Sequence, residues 1–407
     1  MANSVQQRSW ISIVRQQAVR AALALAVVLA LCLVTTQSAQ AETFATLYNF
    51  TGGSDGATPD GSLVRDADGN LYGTTEAGGL GYGVVFKLSK KGKETVLYTF
   101  TGGADGANPF AGLVRDAAGN LYGTTANGGA SGYGTVFMVN KKGKETVLYS
   151  FMAGADGCYP YGGLLRDKAG NLYGTTEVCG ASGVGTVFKL TKDGKESILH
   201  SFAGPPSDGE FPSFTTLLMD AKGNLYGVTE QGGSGECSGG CGAVYKLSKS
   251  GTLTLLYSFL GSDDGCDVFG TPAMDSVGNL YGTANACGSS HVGIAWKVSQ
   301  KKKETILHTF AAGSSDGAEP IAGLVMDAKG NLYGDTYQGG SANLGTVYEL
   351  NKKGSVTLLH TFTGSDGSYP VAGVLRDTAG NLYGTTIYGG SGHDCNNGCG
   401  TVWQITK

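Results

Sequence analysis

Side chains able to do chemistry are sparse in this chain and recur at regular intervals instead of gathering into a motif. Of five histidines, His200, His308 and His360 stand where Tyr48, Tyr98, Tyr149 and Tyr257 stand elsewhere, and His291 and His393 are isolated, so none has a partner at metal-ligand or nucleophile–base spacing. No Gly-x-Ser-x-Gly or His-Glu-x-x-His occurs. The glycine-rich stretches 77–83 and 128–134 each close one strand-like run and open another, which is hairpin grammar and not a phosphate cradle at a helix start. Asp66-Ala67-Asp68-Gly69-Asn70 begins like a calcium loop, but Ala118 and Ala169 replace its middle acid in sister segments and no closing glutamate follows. A tight turn held by the aspartate side chain is expected instead. Four acids, Glu76, Glu177, Glu230 and Asp335, follow or interrupt one recurring apolar run and would suit a hydrolase or lyase if the fold brought them to one mouth. No catalytic residue, metal or cofactor is assigned.

The regular interval decides the architecture. Gly-Asn-Leu-Tyr-Gly recurs with its asparagine at Asn70, Asn120, Asn171, Asn224, Asn279, Asn331 and Asn381, in steps of 50, 51, 53, 55, 52 and 50 residues. Each unit holds four short apolar stretches bounded by glycine, asparagine or lysine turns; in the second unit they read AGLVRD, NLYGTT, GTVFMV and ETVLYSF. With 69 glycines and only 15% charged residues, helix is disfavoured. Four strands in about 50 residues is the period of a propeller blade, whose sheet must stack on neighbours to bury both faces. The expected fold is all-β: one seven-bladed β-propeller over residues 42–407, with four antiparallel strands per blade. Residues 43–50, TFATLYNF, match a fourth strand and residues 400–407, GTVWQITK, match a third, so the first segment is expected to complete the last blade and close the ring.

Residues 1–41 carry Arg8, Arg15 and Arg20 without an acid, an apolar run from Ala21 to Val34, and Ala39-Gln40-Ala41, which reads as a signal peptide cleaved after Ala41. The 14-residue run is shorter than the ~20 residues of a spanning helix. Without this segment 26 basic residues face 33 acids, a net charge near −7, which disfavours a nucleic-acid partner. An exported protein, secreted or periplasmic, monomeric and without stable membrane insertion, is expected.

The succession Gly-Asn-Leu-Tyr-Gly-Thr-Thr, Gly-Gly, Gly-Thr-Val-Phe-Lys-Leu resembles the GloVer-type tandem repeat of secreted bacterial proteins, and does so over the whole of 42–407. The resemblance implies an architecture and a secreted habit; it brings no activity. Proteins of this kind often end in a sorting or anchoring tail, which is not seen before Lys407.

Repeat register pairs the eight cysteines beyond Cys32. Cys158 and Cys179 occupy the same two unit positions as Cys266 and Cys287, while Cys237 with Cys241 and Cys395 with Cys399 share single loops, so four disulfides are predicted in these pairs. Strand order places the first-to-second and third-to-fourth turns on one side of the disc, the lysine-rich side, and the second-to-third loops and inter-blade links on the other. Function is sought where the units differ, at two positions flanking the link proline. The first reads Thr58, Asn108, Tyr159, Phe211, Asp267, Glu319, Tyr369; the second reads Asp60, Phe110, Tyr161, Ser213, Phe269, Ile321, Val371. Rings beside carboxylates suit a sugar or a peptide segment. From these, Asn108, Phe110, Tyr159, Tyr161, Phe211, Asp267, Phe269, Glu319 and Tyr369 are taken as candidate ligand-binding residues of an interaction module for extracellular polysaccharide or protein. A carboxylate hydrolase or lyase and a structural cell-envelope role are the alternatives.

Overall fold

Near-continuous burial along the middle runs of each unit is that of strands packed on both faces. In the run Leu71–Thr75 all five residues are buried, and in Val84–Leu88 only Lys87 is not. The computed structural model describes residues 42–407; the segment read as a signal peptide lies outside them. Seven four-stranded antiparallel sheets follow one another along the chain. In the first, Val64–Arg65, Leu71–Thr75, Val84–Leu88 and Glu94–Thr99 run from the axis to the rim. Innermost pairing is shorter than the six-residue stretch expected: two residues, Val64 opposite Tyr72 and Arg65 opposite Leu71. The residues before it lean on the neighbouring blade instead, as Thr74 Oγ1 donates to Ala111 C=O at 2.8 Å.

The last sheet is closed by the first segment. Thr43–Asn49 pairs antiparallel with Thr401–Thr406, from Thr43 opposite Thr406 to Asn49 opposite Thr401. No sheet edge is left at the seam.

Seven hydrophobic cores lie between blades. One joins Phe50, Leu71, Val84, Phe86 and Leu88 to Tyr383, Cys399 and Val402 of the last blade. Its contact repeats around the ring: the phenylalanine after each outer strand meets the third-strand aromatic of the next blade, edge-on for Phe50 with Phe86 and Phe100 with Phe137, each at 5.1 Å, and for Phe362 with Trp403 at 6.1 Å, and tilted for Phe259 with Trp296 at 5.6 Å. The glycine ending Asn-Leu-Tyr-Gly leaves space for that ring, since a Cβ on Gly123 would stand 2.7 Å from Phe137 Cζ.

Two polar latches account for the remaining repeated residues. Asp116 accepts from Asn120 N–H and Nδ2 and from the Tyr122 hydroxyl, at 2.9, 2.9 and 3.0 Å, and the same triad recurs in all seven blades. On the opposite side, the outer-strand tyrosine donates to the aspartate of the Asp-Gly link, Tyr98 to Asp105 at 2.9 Å. His200, His308 and His360 substitute in this second latch, bonded to Asp208, Asp316 and Asp366 at 2.9, 3.0 and 2.8 Å.

All four predicted disulfides are present, with Cα separations of 5.1–5.5 Å. Cys158–Cys179 and Cys266–Cys287 sit beside the single bridges Cys158–Val178 and Cys266–Ala286, which tie each link to the loop of its own blade.

Candidate functional site at the channel mouth

Each link enters the mouth through the same backbone device. Thr58, Asn108, Tyr159, Phe211, Asp267, Glu319 and Tyr369 all have φ between 51 and 58°, a left-handed conformation that residues other than glycine seldom adopt. It is held from both sides: Tyr159 N–H donates to Tyr133 C=O of the preceding blade at 3.0 Å, and Tyr159 C=O accepts from Glu177 N–H at 3.1 Å. The chain then turns, with Tyr161 N–H bonded back to Tyr159 C=O at 3.0 Å. These first-position residues therefore interact laterally on the loop face. Tyr159 meets Tyr133 at 5.7 Å, Tyr369 meets Tyr337 at 4.7 Å, Glu319 accepts from Gln338 Nε2 at 2.9 Å, and Asn108 donates to Glu76 C=O at 3.3 Å.

The second-position residues line the channel, which holds a cavity of about 590 Å³. Of the nine candidate ligand-binding residues, Phe110, Tyr161 and Phe269 are on its wall; Asn108, Tyr159, Phe211, Asp267, Glu319 and Tyr369 are not. Asp60, Ile321 and Val371 complete the series, but in the fourth blade the lining residue is Phe214, and Ser213 is buried behind it. Counting forward from the link proline gives Ser213; the fourth blade carries one extra residue before Leu217, so counting back from the inner strand gives Phe214. Strand register agrees. Leu218 pairs with Tyr226 as Leu165 pairs with Tyr173, and Phe214 and Tyr161 each stand four residues before that inner-strand residue.

The rings make a continuous arc across blades two to five: Phe110 to Tyr161 at 5.0 Å, Tyr161 to Phe214 at 5.2 Å, Phe214 to Phe269 at 6.1 Å. Phe214 is 44% exposed and has φ 49°, an uncommon conformation for a bulky residue and one that often marks a functional surface. Ile321, Val371, Val374 and Ile387 form the facing aliphatic wall.

Between arc and wall lies the first blade, where Asp60 and Glu76 line the cavity together, the Glu76 N–H being bonded at 2.9 Å to the C=O of Thr58, two residues before Asp60. The two carboxyls are hydrogen-bonded, and burial together with Glu76 holds Asp60 well above the usual carboxylate range. Asn285, on the far side of the cavity, has a buried Oδ1 with no partner among the described residues.

The other acids are placed differently. The Ser213 hydroxyl donates to Glu177 at 3.0 Å, and burial raises Glu177. Glu230 is pushed up to about 7 by burial and by the neighbouring Asp267 and Glu177 carboxylates. Both stand outside the cavity wall. Asp335 is not at the mouth at all: it replaces the threonine that elsewhere bonds across the blade interface, is 2% exposed, and is pushed up to about 7 by burial. No lysine or arginine occurs in any second-to-third loop or inter-blade link among the described residues, so the whole loop face is acidic.

A family profile described as the Gloeobacter/Verrucomicrobia repeat matches residues 33–169, 152–325 and 215–407. The chain belongs to this repeat family. No curated protein matches it. Among solved structures, a gluconolactonase from Xanthomonas campestris is 16% identical, with a TM-score of 0.46 and coverage of 90% of this chain and 89% of that one. The extracellular domain of a one-component system from B. thetaiotaomicron is 10% identical, with a TM-score of 0.54; 88% of this chain is covered, and 39% of that one. At such identity the likeness to the extracellular domain concerns the fold alone.

Proposed function

We propose that this protein is an exported binding module that holds an extracellular polysaccharide at the loop-face mouth of its channel. The observation that carries the reading is the ring arc Phe110–Tyr161–Phe214–Phe269, confined to four adjacent blades, while the scaffold residues recur in all seven. Sugars offer apolar ring faces to such an arc and hydroxyls to the acids beside it. Four disulfides suit an oxidising compartment, in keeping with export. Affinity electrophoresis against cell-wall and plant polysaccharides tests the reading: retardation on at least one polymer, abolished by Phe110→Ala with Tyr161→Ala, supports it, and no retardation on any polymer removes it.

The Asp60–Glu76 pair favours a second reading. Carboxyls in hydrogen-bond contact stand closer than the roughly 5–9.5 Å of glycosidase pairs, but a pair sharing a proton can act as acid and base on one water. Polymer hydrolysis that disappears in Glu76→Gln would establish that reading.

A further inference from the structure

The lining of the cavity offers hydrogen-bond acceptors and lacks cations. Asp60 and Glu76 share the rim of the first blade, and the Ser62 hydroxyl is already committed to Ala372 C=O. A ligand that fills this space must bring donors, and it must tolerate a loop face without a single lysine or arginine. An acidic polysaccharide brings hydroxyl donors but fails on charge. Rings beside a carboxylate are also the setting in which an ammonium group is held, by the quadrupole of the ring face and by charge-assisted hydrogen bonds.

Resting on the polysaccharide reading above, we propose that the mouth selects a polymer of amino sugars with free amino groups, its ammonium seated on Asp60 and Glu76 and its pyranose faces against Phe110, Tyr161 and Phe214. Burial and the neighbouring Glu76 carboxyl hold Asp60 above the usual carboxylate range, and an ammonium brings the pair positive charge and three donors. The other titratable group facing the pair is the Tyr161 phenol, raised by burial and by Glu177, Tyr159 and Glu76, so it remains a neutral donor or acceptor. The arc then reads the sugar and the acid pair reads its nitrogen.

Calorimetric titration of the purified protein with a β-1,4-linked glucosamine tetramer and with its N-acetylated counterpart tests this. The free amine is expected to bind at least about tenfold more tightly than the acetylated sugar. Asp60→Asn with Glu76→Gln should erase that preference, while Glu236→Gln with Asp394→Asn, exposed loop acids away from the cavity, should leave it intact; thermal melts establish that each variant is folded. Equal binding of both sugars overturns the ammonium assignment and leaves the saccharide site standing. A preference lost equally in the Glu236/Asp394 variant overturns it too, because a diffuse acidic field then accounts for the selectivity. Binding of neither sugar, with retardation still seen on another polymer, rejects amino sugars alone; failure of both experiments rejects the mouth as a saccharide site.

Discussion

At the scale of single residues, carboxyl groups are pulled in opposite directions by two repeated environments. The aspartate of each turn triad, such as Asp167, is stripped of water by burial but receives bonds from Asn171 and Tyr173, and the net result lies below the ordinary aspartate range. Glu94, Glu145 and Glu304, which open outer strands, gain no such donors; burial and the neighbouring Asp55, Asp105 and Asp264 push each up to about 7. A carboxyl raised in the folded state binds more protons folded than unfolded, so its contribution to stability falls as pH climbs from the normal glutamate range to about 7 and is level beyond. The triad aspartates act in the other sense, with stability present above their unfolded pKa and lost as pH drops through the lowered folded value. Thermal midpoints should therefore be highest in mildly acidic solution, fall towards neutrality, and fall again in strong acid. Glu145→Gln should raise the midpoint above pH 7 by about 1–2 °C and flatten the neutral limb, and Asp167→Asn should weaken the acid limb. A midpoint that climbs steadily from pH 5 to 8 contradicts the account.

At the scale of the strand and loop, the sequence spoke plainly wherever a residue repeats and poorly wherever one blade departs from its sisters. The Tyr–Asp–Asn turn, the buried Trp296 and Trp403, and the four disulfides all follow from aligning the units, because each occupies an equivalent strand or loop position in more than one unit. Phe214 escaped because one inserted residue shifts the fourth link. The Asp60–Glu76 contact escaped because the two acids belong to different positional series, the link and the second-strand end, and only the folded turn of the link brings both to the cavity. Asp335 looked accessible beside Glu76 and Glu177, but it stands two residues earlier in its strand, on the face turned into the blade interface. Two consequences belong here. Gly123→Ala places a methyl group against Phe137 and Leu113, and the resulting overpacking should cost about 1–3 kcal/mol in denaturant unfolding; an unchanged midpoint means the ring does not fix that glycine. Replacing Cys158 and Cys179 together by serine should cost about 3 kcal/mol in the same measurement, since the bridge closes a loop over 21 residues of sequence separation. A loss below about 1 kcal/mol would show that the Cys158–Val178 backbone bridge alone keeps that loop closed.

For the molecule as a whole, stability depends on whether the ring is shut, and one short segment does this for three blades. Phe44 stacks on His360 of the sixth blade with centroids 3.5 Å apart and stands 6.2 Å from Trp403 of the seventh. Tyr48 reaches Asp55 in the link to the first blade, and Phe50 lies edge-on to Phe86 inside it. Removing residues 43–50 would uncover the edge of Thr401–Thr406, leave His360 without its stacking partner, and open the core that unites the first and last blades. An exposed apolar strand edge invites pairing with another chain. The deletion variant should therefore melt well below the intact protein and form dimers or larger species by light scattering, and Phe44→Ala with Phe50→Ala, which keeps the strand but removes its anchors, should lower the melting point without the association. Truncating the buried Phe50 costs about 3–5 kcal/mol and the half-buried Phe44 adds less, so the double variant separates anchoring from edge protection. A deletion variant that stays monomeric with an unaltered midpoint would mean that the blades hold the ring closed by their lateral cores alone.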